Sequence, residues 1–415
     1  MHYLQMMKNL LLLFCLFVAN RACPQQTANE LLIGHSDTVY SSILGESRKV
    51  WISLPPGYYS GESMKYPVVY VLDGDAHFTS VVGMIRQLSE GFTSFFPKMI
   101  VVAILNTDRM RDLTPTHISR KADDGTAVEM FKTTGGGDRF LSFIHKELMP
   151  HIDSAYPTSP YKMFIGHSLG GLMVIDALLH HKEMFNSYVA IDPSLWYDNR
   201  KLLNQSAELL KNDTFKNKYL YVAIANTMKP GMDTIRVKKD TGENTSHIRS
   251  ILEFTKILKT GSRNGLIWNY RYYGDDDHGS VPFIAEYDAL RFIFRNYRLP
   301  AWEVLTDSSY QTESVVRKHY KQISKEWGYD VLPPEPFINS LGYFFLERKK
   351  FDKSQTFFEM NIDNYPLSAN VYDSMGDFWL KKGDQSKALD FFKKSLSIME
   401  SPGTRAKFEK LQNSK

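Results

Sequence analysis

Six short apolar runs, each a few residues long and separated by helical or loop stretches, constrain this chain more than any other feature. They are Tyr66 to Leu72, Met99 to Leu105, Tyr161 to Ile165, Ser187 to Ile191, Tyr219 to Ala225 and Leu266 to Tyr273. They are rich in Val, Ile and Tyr, and several lack the polar alternation of a half-exposed strand, so both faces must be covered. Amphipathic helical candidates lie between them, among them Arg139 to His151 and Ser246 to Leu258. Strands alternating with helices predict a mostly parallel, doubly wound α/β sheet. Ahead of them, about Leu31 to Tyr58 reads as strand and ends in the turn Pro55-Pro56-Gly57.

One of these runs leads into Gly166-His167-Ser168-Leu169-Gly170. A serine between glycines two before and two after suits a sharp strand-to-helix turn that exposes its hydroxyl, because larger side chains would collide there. Met163-Phe164-Ile165 supplies the strand and Gly170 to Leu178 the apolar helix, so Ser168 is the candidate nucleophile. Its general base is expected in a loop after the last strand. His278 fits, in Gly274-Asp275-Asp276-Asp277-His278-Gly279-Ser280, and a neutral imidazole can take a serine proton near pH 7. The acid is expected after the penultimate strand, where Asp233 is the first carboxylate and Asp240 and Glu243 follow. Asp233 is the choice, with capping of the next helix as its competing role. Two backbone N–H groups must hold an oxyanion, each worth roughly 2.7–4 kcal/mol. Leu169 and Asp75 are the candidates. Asp73 and Asp75 lack a convergent His or Cys cluster, so neither a metal nor an organic cofactor is expected.

The N-terminus predicts export. Lys8, the apolar run Leu10 to Ala19 and the break at Asn20-Arg21-Ala22 describe a cleavable leader over residues 1–22, too short to span a bilayer. The chain has two cysteines, Cys15 inside that run and Cys23 just after it, so the mature protein is expected to hold no internal disulfide. Cys23 raises lipid anchoring as the alternative to a soluble periplasmic or secreted protein. A net charge of +4 spread over 415 residues carries no basic cluster, and nucleic acid is not an expected partner.

Past the last strand the texture turns helical and repeats. Gly342 and Gly376 lie 34 apart, as do Lys353 and Lys387, Ser354 and Ala388, and Phe357 and Phe391. Two tetratricopeptide-like units over 336–412 are predicted, docked on the larger domain through a linker, 301–335. They are read first as a structural cap, with a protein partner as the alternative.

Together these residues resemble the esterase family of α/β-hydrolases that includes enterochelin-esterase-like and feruloyl-esterase-like enzymes. The resemblance covers about Ser36 to Tyr297, within an expected domain 31–300. It rests on Arg48 to Tyr58, Tyr66 to Gly74, Phe140 to Pro150, Gly166 to Gly171, Asp192 to Trp196 and His278-Gly279-Ser280. It implies an α/β-hydrolase fold, Ser168 as nucleophile, His278 as base, and a substrate pocket near Trp196 and Tyr197. It implies hydrolysis of a siderophore or polysaccharide-linked acyl ester. An acyltransferase and a non-catalytic binding protein are the rival readings. Many members carry a carboxylate directly after the penultimate strand, where this chain has Asn226-Thr227-Met228.

Overall fold

The computed structural model describes residues 32–58, 64–91, 94–119, 128–261, 264–307 and 309–413. The predicted leader and both cysteines lie outside these residues. Eight strands form one sheet: β1 (His35–Ser41), β2 (Glu46–Ser53), β3 (Tyr66–Val71), β4 (Ile100–Ile104), β5 (Thr158–His167), β6 (Ser187–Ile191), β7 (Tyr219–Ala225) and β8 (Ile267–Tyr273). Their order is β1-β2-β4-β3-β5-β6-β7-β8. Only β2 runs against the others; β3 pairs in parallel with β4 on one side and β5 on the other.

The unbroken apolar runs follow from burial on both faces. In β7, Leu220, Val222 and Ile224 join the core on one face, while Tyr219, Tyr221, Ala223 and Ala225 join the core on the other. All seven residues are buried, so no polar position is left to show the two-residue period. The edge strand β8 is only half-buried along most of its length, as a strand with one neighbour should be.

The helices that frame the site are α1 (Gly74–Leu88), α2 (Leu169–His180), α3 (Tyr197–Asn212), α4 (Ser246–Thr260) and α5 (Val281–Ile293). The strand order reverses about β3, whose loop and that of β5 therefore diverge at the carboxyl edge. That crevice is where open α/β sheets bind ligands.

Beyond the sheet come α6 (Thr312–Trp327), α7 (Glu335–Glu347), α8 (Phe351–Asn364), α9 (Ala369–Lys382), α10 (Gln385–Ile398) and α11 (Pro402–Gln412). The 34-residue period is visible in contact detail. A Cβ on Gly342 would lie 2.5 Å from Phe358, and one on Gly376 would lie 2.4 Å from Phe392. The aromatic residues against the glycines, Phe358 and Phe392, are themselves 34 apart and each follows one of the recurring pair Phe357 and Phe391. The segment expected as a linker is instead largely helix. Val316, Tyr320, Ile323 and Trp327 of α6 recur at helical spacing and pack in the same apolar cluster as β3, β5 and the first repeat.

A buried charge cluster ties the antiparallel β1–β2 corner to the sheet. Arg48, 1% exposed, donates to Asp112 (2.5 Å) and Glu46 (2.8 Å), and Arg111 bonds both carboxylates. Arg48→Met should leave Asp112 short of a partner and cost roughly 3–5 kcal/mol, toward the lower end because Arg111 remains. Urea unfolding of the two proteins measures it.

Candidate active site

Ser168 stands between β5 and α2 with φ 61 and ψ −115, a backbone conformation costly for any residue with a side chain. Three backbone hydrogen bonds hold it there: Ser168 N to Ile191 O (2.9 Å), Leu172 N to Ser168 O (3.0 Å) and Ser194 N to Ser168 O (3.0 Å). The glycines are sterically required. A Cβ on Gly166 would lie 2.4 Å from the Gly170 backbone. The Ser168 hydroxyl hydrogen-bonds with that of Ser194, Oγ to Oγ 3.3 Å.

His278 enters from the loop after β8. Asn226 ties this loop to the end of β7, its N–H donating to Asp276 O (2.8 Å) and its amide to Gly274 O (2.9 Å). The His278 ring lies 4.4 Å, centroid to centroid, from that of His167, the residue before Ser168. Its Nδ1 is 2.6 Å from Oδ2 of Asp192. An ionised carboxylate can only accept, so Nδ1 carries a proton, and in the neutral tautomer this fixes the lone pair on Nε2.

Asp192 closes β6 with φ 42 and has no exposed surface. Its Oδ1 accepts the Ala225 N–H (2.9 Å), and its Oδ2 accepts from both His278 and His247 Nε2 (2.8 Å). Burial favours the neutral acid, but the hydrogen bonds from His247 and His278 outweigh it and hold this carboxyl well below the usual carboxylate range.

The expected acid, Asp233, is elsewhere. It is exposed, and its Oδ1 accepts the N–H groups of Ile235 (2.8 Å) and Arg236 (2.7 Å) in a local turn, so it caps neither the 3-10 turn at Val237 nor the helix at Ser246. Asp240 is likewise spent on Thr245 Oγ1 (2.7 Å) and the Gly242 N–H (3.3 Å), and Glu243 opens a short 3-10 turn. The carboxylate beside His278 comes from the β6 loop because β6 lies directly between β5 and β7, within reach of both loops. A signal existed: Asp192 directly follows the run Ser187 to Ile191, read as covered on both faces, where a carboxylate is costly unless several donors meet it. His247, at the start of α4, carried no such signal.

Leu169 begins α2, and Asp75 lies in the first turn of α1, immediately after β3. N–H groups of first turns have no intrahelical acceptor and point toward the helix's positive end. The two loops touch, since a Cβ on Gly170 would meet Asp73 Oδ2 at 3.3 Å. Asp73 itself is held by Arg109 (2.7 and 2.9 Å) and Asn106 (2.7 Å). Of the expected pocket residues, Trp196 is half-buried ahead of α3. Tyr197 turns away, buried, with its hydroxyl on Thr116 O (2.8 Å). Ser194 is the member of this segment that reaches Ser168.

Four imidazoles line up across the site. His77 lies 5.8 Å from His167, which lies 4.4 Å from His278, which lies 5.2 Å from His247. Burial first, then the adjacent His278 and His77, push His167 down to about 4, so its ring is neutral at pH 7. For His77 burial is overcome by Glu286, whose carboxylate lies 2.9 Å from Nδ1 and raises its pKa.

Asp192, His247 and His278 also have donor atoms near enough to consider a metal ion, all within 4.8 Å of one another. Separations of 2.6 and 2.8 Å about one carboxylate oxygen are hydrogen bonds. Zinc, at about 2.0–2.2 Å from each ligand, would require these atoms to spread.

This sheet order, with a serine elbow after β5 and a histidine after β8, defines an α/β-hydrolase. A family model described as "Putative esterase" matches residues 41–278. The chain belongs to this esterase family, and it is a carboxylic ester hydrolase. Among curated relatives, the ferri-bacillibactin esterase BesA of Bacillus subtilis is 25% identical, over 64% of this chain and 92% of its own length. A siderophore enterobactin esterase of Emericella nidulans is 28% identical, over 54% of this chain and 80% of its own. Among solved structures, an IroE-like serine hydrolase from Shewanella oneidensis superposes with a TM-score of 0.68 at 32% identity, covering 79% of this chain and 98% of that one. An uncharacterised protein from Capnocytophaga ochracea covers 92% of this chain and 99% of its own at a TM-score of 0.58; at 18% identity it shares the fold alone. Among the described residues no helix is long and apolar enough to cross a membrane.

Proposed function

We propose that this chain is an exported serine esterase that cleaves siderophore esters through Ser168, His278 and Asp192. The 2.6 Å contact between Asp192 and His278, whose ring lies 4.4 Å from that of His167, the residue before the φ 61 serine, carries the reading. Nε2 of His278 takes the Ser168 proton as Oγ attacks the ester carbonyl carbon, and Asp192 stabilises the imidazolium that forms. The N–H groups of Leu169 and Asp75 receive the oxyanion. The tetrahedral intermediate collapses, Nε2 returns its proton to the departing alkoxide, and water releases the acyl group by the same steps in reverse.

The siderophore class rests on the two curated relatives named for such esters, and export rests on the predicted leader. The C-terminal helices serve as support, since their first repeat shares an apolar cluster with the sheet. Turnover of catecholate, feruloyl and short p-nitrophenyl esters tests the substrate class. Catecholate esters should show the highest kcat/KM. A clear preference for feruloyl esters would move the substrate to plant-polysaccharide conjugates.

A further inference from the structure

His247 belongs to none of the assigned roles, yet it shares a carboxylate oxygen with His278. It is the second residue of α4 and is largely buried. Its backbone is fixed from both sides: Ile248 and Ile251 bury in the core, and Arg249 clasps Thr245 Oγ1 (3.0 Å) and Gly242 O (2.8 Å) in the turn before the helix. The ring stands nearly perpendicular to that of His278, at 88°, so the two N–H groups approach Asp192 Oδ2 from different directions.

We infer that His247 is a positioning residue, which keeps Asp192 ionised and aimed at His278 by donating the second hydrogen bond to the same oxygen. The inference rests on the proposed catalytic roles of Ser168, His278 and Asp192. Its physical basis is the enclosure of Asp192. A carboxylate without exposed surface has no water to solvate it, and each missing donor moves it toward the neutral acid. Three donors meet it: the Ala225 N–H on Oδ1, and His247 and His278 on Oδ2. His278 cannot serve as a fixed anchor, because its charge and position change as it takes the serine proton. Ala225 holds the other oxygen. Only His247 remains to hold Oδ2 in place while His278 works.

Replacing a buried N–H donor to a charged group is expected to cost about ten- to a hundredfold in rate. His247→Phe keeps the ring volume and loses the donor, whereas His247→Gln keeps an N–H donor on a flexible arm. The Phe variant should lose that factor in kcat with KM nearly unchanged, because His247 touches Asp192 and not the substrate. The Gln variant should recover most of the loss. Should the Phe variant not fold, His247→Met, of similar length and without a donor, takes its place. Proton NMR supplies a readout that needs no turnover. The low-field resonance of the His278 Nδ1 proton should persist in the Gln variant and shift or vanish in the Phe or Met variant. A donor-free variant with wild-type kcat and an unmoved resonance overturns the inference, as does a Gln variant that falls as far as the donor-free one. If the wild type hydrolyses no ester, the esterase reading fails, and the resonance alone still decides what His247 does.

Discussion

Ser168→Ala is expected to lower kcat/KM for ester hydrolysis by at least about a thousandfold while leaving the fold intact, and His278→Ala should do the same. The serine variant is unusually clean. Alanine keeps the Cβ, so it meets the same backbone cost at φ 61, and the three hydrogen bonds that hold the turn use backbone atoms alone. Among the described residues the side-chain hydrogen bond given up is the hydroxyl pair with Ser194. Thermal unfolding should therefore barely move as activity falls. His278 is less buried, with 42% of its side chain exposed, so its removal opens no cavity in the core, although Asp192 then loses one donor and some stability with it. Because a nucleophile and its base act as a unit, the double variant should be scarcely worse than either single one. Retention of more than about a tenth of activity in either single variant is incompatible with a Ser168–His278 mechanism.

The second large effect separates two carboxylates. Asp192→Asn should lower turnover by up to roughly four orders of magnitude, since an amide neither locks the His278 tautomer nor balances the imidazolium. Asp233→Asn should be nearly silent in turnover, because this side chain is exposed and spent on its own turn. Asp240→Asn and Glu243→Gln should be silent too. The Asp192 change will also cost stability. Its ionised form is favoured in the folded protein, so the stabilisation is present above the ordinary carboxylate pKa and is lost as pH falls toward the depressed folded value. The stability of the wild type should therefore fall progressively as pH drops below the ordinary carboxylate range. In the Asn variant this part of the pH dependence should be missing. The readout is fluorescence-monitored unfolding across pH.

Much of this was legible in the sequence, for reasons visible in particular residues. The run Ser187 to Ile191 is β6 residue for residue, and Tyr219 to Ala225 is β7, because strands buried on both faces leave no ambiguity about where the apolar stretch ends. The elbow was legible because its steric demands fall on neighbouring residues, Gly166 and Gly170. The acid was not. Asp192 and His278 are 86 positions apart, and their contact exists only because β6 sits beside β7 in the finished sheet. A loop-by-loop argument placed the acid after β7, where Asn226 instead uses its amide to fasten the histidine loop. In the C-terminal helices the 34-residue spacing recurs in the approaches of Gly342 to Phe358 and of Gly376 to Phe392. Phe357 turns toward the larger core, and Phe358, one residue and about 100° further round the helix, meets Gly342. The expected linker hid α6 because its apolar residues are sparse, and helical spacing there is evident only once the pattern is followed through Trp327.

The central claim is that Ser168 forms the acyl-enzyme, and covalent labelling tests it most directly. A serine-directed fluorophosphonate should inactivate the wild type with one adduct per chain, in proportion to lost esterase activity, and peptide mapping should place that adduct on Ser168. The Ser168→Ala protein should take up none. An adduct on any other residue, or full activity in a fully labelled protein, would contradict the account.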